Sequence, residues 1–150
     1  LDGASRLGSI PGVIVQSRYD LLCPPRAAYE IARRWPGCRL EIVPAAGHTI
    51  DRLIRTIPIV VGKRAATPEG GAVVIDITGG VQRHIVCEVR GGRAALVSAP
   101  TGAPLATITL DTEGFTVLAG GRRTAADVGA IVEGDAALAD RVLSQFNMMI

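Results

Sequence analysis

With 150 residues, 15.6 kDa and a net charge of +2 from 16 basic and 14 acidic side chains, the chain has no basic stripe of the kind that tracks phosphates. Aromatic residues make up only 3%, too few for a base-stacking platform, which excludes nucleic acid as a main partner. No apolar run approaches the roughly 18 residues of a membrane span, and Asp2 and Arg6 stand where a signal peptide would need an apolar stretch, so the expectation is a soluble, cytoplasmic protein with no membrane partner.

In chain order, Gly12-Val13-Ile14-Val15-Gln16 is a short apolar run suited to a strand buried on both faces. Pro24-Pro25 pre-sets the first turn of a helix whose Ala27, Ala28, Ile31 and Ala32 repeat at helical spacing, and Pro36-Gly37 ends it. Arg39 to Val43 predicts a second strand, with Pro44 to His48 as its exit loop. Strand, helix and strand in this length make a βαβ unit with parallel strands, whose functional groups belong at the strands' carboxyl ends. Asp51 to Ile57 reads as helical, and Pro68-Glu69-Gly70-Gly71 as a turn.

Three strands are then predicted, at Ala72 to Thr78, His84 to Val89 and Ala94 to Ser98. Gly79-Gly80 and Gly91-Gly92 separate them and supply the positive φ of tight hairpins, which makes a meander. Ala106 to Leu110 alternates as a fourth strand. Asp111 or Thr112 caps a helix that runs through Ala119 and stops at Gly120-Gly121. The last element, Asp135 to Phe146, collects Ala136, Leu138, Ala139, Val142, Leu143 and Phe146 on one face, and Gly134-Asp135 reads as its N-cap. The fold class is α+β: a short βαβ segment over residues 1–50, then over 51–150 an antiparallel or mixed sheet with helices on one face.

Asp20 after the first strand and His48 after the second have the chemistry of a hydrolase acid and base. A carboxylate that orients an imidazole does nothing until the imidazole can take a proton from a nucleophile, and no Gly-x-Ser-x-Gly elbow occurs in the sequence. His84, alternating within a strand, reads as structural or solvent-facing. Cys23, Cys38 and Cys87 are odd in number and lack Cys-x-x-Cys spacing, and with two histidines they make no zinc pattern, so reduced thiols, no metal and no cofactor are expected. Arg122 and Arg123, after a helix ending in glycine, could grip a carboxylate or phosphate, against the simpler reading of favourable charge near a helix C-terminus.

Arg18-Tyr19-Asp20, Cys23-Pro24, Ala32-Arg33-Arg34-Trp35-Pro36 and Ala46-Gly47-His48 together resemble the C-terminal end of proline iminopeptidases, which are α/β-hydrolases. The resemblance implies that Asp20 is the triad acid and His48 the triad base, with Ser17 where that family has Gly. It spans about forty-five residues, and the family's nucleophile, oxyanion hole and substrate-amine carboxylates fall outside it. Residues from about Asp51 onward are similar to a different family, the C-terminal domain of mycothiol-dependent maleylpyruvate isomerase relatives. The pattern lies in Arg55 to Ala65, Leu118 to Arg123, Glu133 to Ala139 and Phe146-Asn147. That resemblance implies a sterol-carrier-like sheet covered by helices, in proteins where it follows a helical bundle that binds the metal and thiol cofactor.

The expected function is a small-ligand-binding or accessory domain carrying an incomplete hydrolase segment and not self-sufficient for catalysis. Its partners would be a small apolar ligand or a missing N-terminal catalytic domain, and the leading Leu1 fits a processed or incomplete chain. Two alternatives stand beside it: a fragment of a proline iminopeptidase, a serine aminopeptidase lacking its nucleophile here, and half of a mycothiol-dependent isomerase that lends Arg122 or Arg123 to a site on another chain.

Overall fold

In the computed structural model, residues 3–8, 10–18, 20, 24–43 and 47–148 are described, with 47–49 described by their backbone alone. Tyr19, Cys23 and Pro44 to Ala46, which the sequence reading invokes, lie outside the described residues. The chain divides into two compact units, Leu1–Thr49 and Ile50–Ile150. No described helix is long and apolar enough to cross a membrane.

The first unit is a two-stranded parallel ribbon, β1 (Gly12–Ser17) and β2 (Cys38–Val43), joined by α1 (Pro25–Arg34). Proline at the first helical position fits because its missing N–H would have no partner there, and Arg33 and Arg34 complement the negative end of the helix. Only glycine fits at position 12, since a Cβ there would lie 2.2 Å from the Trp35 ring. Trp35 is held by its indole N–H, which donates to the Ile10 carbonyl at 2.9 Å.

Burial in β1 differs from the expectation. Val13 and Val15 are 56% and 65% exposed. A ribbon of two strands with one packed helix covers a single face, so a sequence suited to a doubly covered parallel strand leaves alternate side chains outside. The register puts Val13 beside Arg39 and Val15 beside Glu41, and Arg39 pairs with Glu41 at 3.0 Å on that outer face. The exit from β2 also differs: α2 (Gly47–Ile54) begins at Gly47, so His48 stands in a helical first turn rather than a loop.

The second unit is a five-stranded mixed sheet in the order β5-β4-β3-β6-β7. Its strands are β3 (Ala72–Thr78), β4 (Arg83–Arg90), β5 (Arg93–Val97), β6 (Ala106–Asp111) and β7 (Ile131–Gly134). The three-strand meander forms as the glycine pairs predict, with positive φ at Gly79, Gly91 and Gly92. β6 then returns to the other edge of β3 and runs parallel to it, and β7, which the sequence reading does not contain, closes that side antiparallel to β6. Gly134 ends β7 at φ 87°, where a Cβ would meet the Leu105 carbonyl oxygen at 2.4 Å.

α3 (Thr112–Ala119) and α4 (Ala136–Ser144) start at aspartate caps: the Asp111 carboxylate accepts from the Gly114 N–H at 2.6 Å and that of Asp135 from the Leu138 N–H at 2.9 Å. Strand register lines up Ile85, Ile75 and Ile108 across one sheet face, with Ile77 and Leu110 in the next row. These five side chains are 5% exposed or less. Leu138, Val142, Phe115 and Phe146 are fully buried, and the two phenyl rings meet edge to face at 5.5 Å. Ala136, placed on the buried face by helical spacing, is exposed in the first turn.

Candidate functional site

Asp20 and His48 both follow the carboxyl ends of the parallel strands. Asp20 is half-buried, and its backbone N–H donates to the Ser17 carbonyl at 3.4 Å, a turn that brings the chain round directly after β1. His48 follows β2, but its imidazole lies outside the described residues, so the Asp20–His48 pairing rests on the sequence reading. Of the other two predicted ligand residues, Arg122 is exposed, and its N–H donates to the Val117 carbonyl at 2.9 Å, closing α3. Arg123 is exposed between two clefts, of about 250 and 450 Å³, and in the smaller one it faces Asp111, Glu113 and Asp127. The Asp127 carboxylate is held below the usual aspartate range, first by hydrogen bonds from the Thr124 hydroxyl and N–H and then by the charge of Arg123. An anion arriving at Arg123 would meet three carboxylates there.

His84 faces solvent, as its alternation predicts, and is partnered: Nδ1 lies 2.6 Å from the Asp76 carboxylate on the adjacent strand. Asp76, Thr78, Gln82, Arg83 and Thr109 complete an open cleft of about 490 Å³ at that end of the sheet, where Arg83 also pairs with Asp51 at 3.0 Å.

A cleft of about 510 Å³ lies where the π-helical turn Ile59–Arg64 rests on the β4–β5 hairpin. The close approach follows from Gly62, whose missing Cβ would be 2.5 Å from that of Ala94. Val60 and Val61 anchor the turn in the core, while Ile59 on its other side is 52% exposed. The chain leaves the turn through Ala66 at φ 51°, a left-handed conformation that costs a non-glycine residue roughly 1–2 kcal/mol. Next comes Thr67, 6% exposed, whose hydroxyl is buried with no hydrogen-bond partner. Lys63 and Arg93 stand on the rim, and Pro58, Ile59, Val89 and Ala94 give the walls an apolar character. The cleft's carboxylate, Glu69, accepts the Gly91 and Gly92 N–H groups at 2.6 and 2.9 Å and so clamps the hairpin turn. Sequence reasoning missed this site. Its signal was a basic pair, Lys63-Arg64, at the end of an apolar stretch that begins with Pro58.

Two buried titratable groups lie in β4. Glu88 is 2% exposed, and Arg90, at 2.6 Å, together with Thr101 holds its carboxyl below the usual range. Burial pushes the Cys87 thiol up to about 12.

The second unit is thus an α+β domain with a buried helix–sheet core and clefts at its surface. Residues 48–141 match the MDMPI C-terminal domain family, and the chain belongs to that family. Among curated proteins the chain is similar to the proline iminopeptidase of Xanthomonas citri, 43% identical over 61 residues, which covers 37% of this chain and 20% of that protein. It is also similar to the proline iminopeptidase of Xylella fastidiosa (strain Temecula1), 47% identical over 49 residues, which covers 33% and 16%. The chain spans a fifth or less of the length of these relatives. Among solved structures it is similar to sterol carrier protein 2 like 2 of Aedes aegypti, with a TM-score of 0.49 and 18% identity over 66% of this chain and 97% of that one.

Proposed function

We propose that the chain serves as a small-ligand-binding or accessory domain and does not carry out catalysis by itself. The observation that carries this reading is the family match over residues 48–141, to a family named as a C-terminal domain. Chemistry supports it from the other side. By resemblance, Asp20 and His48 would be the acid and base of a triad, and a triad without its nucleophile loses about a millionfold in turnover. The sequence holds no Gly-x-Ser-x-Gly to supply one. The 150-residue chain incubated with a proline arylamide is expected to show no turnover above background; steady turnover abolished by His48→Ala would overturn the proposal.

A second reading, part of a proline iminopeptidase, is favoured by the identity of 43% to a protein of that name. It predicts that mixing this chain with the complementary portion of such an enzyme restores turnover dependent on Asp20 and His48. A third, half of a mycothiol-dependent isomerase, is favoured by the family match and gives Arg122 or Arg123 a place in a site completed by another chain. Among the described residues no three His, Cys, Asp or Glu side chains are grouped to hold a metal ion. The free thiols of Cys38 and Cys87 support a reducing, cytoplasmic setting.

A further inference from the structure

We infer that the cleft between the π-helical turn and the β4–β5 hairpin is a binding site for a small apolar carboxylic acid. This rests on the ligand-binding reading above and gives it a place and a chemistry. The charge of the cleft is asymmetric in its availability. The one carboxylate in the lining, Glu69, is held against the Gly91 and Gly92 N–H groups, and its single negative charge stands against two cations, Lys63 and Arg93, exposed on the rim. A guanidinium presents the paired donors that match a carboxylate.

The body of the ligand is set by the walls. Ile59 is an exposed large side chain on a turn anchored by Val60 and Val61, and with Pro58, Val89 and Ala94 it offers an apolar surface beside the two cations. At about 510 Å³ the space lies within the range of small-molecule sites.

The independent observation is Thr67. A buried hydroxyl left without a partner costs the fold free energy, and such groups call for a function or an occupant. The residue lines this same cleft, after a residue held in the left-handed region and at the end of a π-helical turn, a feature that recurs at functional sites. Each of these costs stability, and all of them shape one cleft.

Titration of the 150-residue chain with octanoate and with hydrocinnamate, followed by amide chemical shifts, tests the assignment, with octanol and inorganic phosphate as controls. Saturable shifts are expected at Gly62, Lys63, Thr67 and Arg93 with both acids and with neither control. Arg93→Gln and Lys63→Gln are each expected to weaken binding by about tenfold, the loss of one charge-assisted hydrogen bond. Thr67→Val removes only the hydroxyl and is expected to raise the melting temperature of the free protein while weakening the acids severalfold. A higher melting temperature with unchanged affinity would overturn the assignment, as would octanol binding as well as octanoate or no saturable shift with either acid. Shifts that saturate around Arg123 instead would sink this site and leave the ligand-binding reading standing, whereas arylamide turnover would overturn the statement that the chain does not carry out catalysis by itself and would leave the titration to decide the cleft.

Discussion

Cys87 shows how a single buried atom couples to pH. It lies on the covered face of β4, paired in register with Val73 and Leu96, with no exposed surface. Its thiol rises from an ordinary 9.0 to about 12 because burial disfavours the thiolate. Between those values the unfolded chain gives up a proton that the folded chain keeps, so stability falls as pH rises, by up to about 1.4 kcal/mol per pH unit. Urea unfolding of Cys87→Ala is expected to show a shallower decline than the parent between pH 9 and 12; equal slopes would refute the coupling. Glu88, the next residue of β4, works in the opposite sense. Its carboxyl is depressed by Arg90 first, so its contribution is present above the unfolded value of about 4.5 and is lost as pH falls through the lower folded one.

At the level of elements, the second unit is held by what α3 and α4 press against β3 and β6. Phe146 lies just beyond α4, fully buried and edge-on to Phe115, so its truncation leaves a cavity in the core. Phe146→Ala is expected to cost about 3–5 kcal/mol in chemical denaturation, whereas Ala136→Ser, exposed in the first turn of α4, should change little. The elements legible in the sequence are those with strong local punctuation: Pro25 at the start of α1, the Gly79 and Gly91-Gly92 hairpins, and the aspartates capping α3 and α4. β7 was not legible, because four residues with every position exposed carry no alternation and pair only through β6. The π-helical turn has no sequence period of its own. The cleft gathers Lys63, Thr67 and Arg93 from three segments, and the lack of a partner for the Thr67 hydroxyl exists only in the folded chain.

For the molecule as a whole, the two units differ in what they can bury. The second has a continuous core of isoleucine, valine and phenylalanine at or near zero exposure, while the only described buried hydrophobic side chain of the first is Ala28. A unit of about fifty residues with little apolar burial sits at the marginal end of what folds alone. Native-state hydrogen exchange is expected to rank them: amides of β3 and β6 should exchange only through global unfolding, and those of β1 and β2 by cheaper local opening. Equal protection in both would contradict that ranking.

The parallel pairing of β3 with β6 sets an order of events during synthesis. The meander β3-β4-β5 can close as soon as Val97 has emerged, but the other edge of its first strand waits for Ala106–Asp111, and β7 for some twenty residues more. Until then the nascent chain presents a row of unpaired amides beside Val73, Ile75 and Ile77, a template onto which any extended segment can add. Slowing translation during the interval in which Ser98 to Gly134 leave the ribosome should therefore lower the yield of native protein, unlike an equal pause placed after Gly134 has left it.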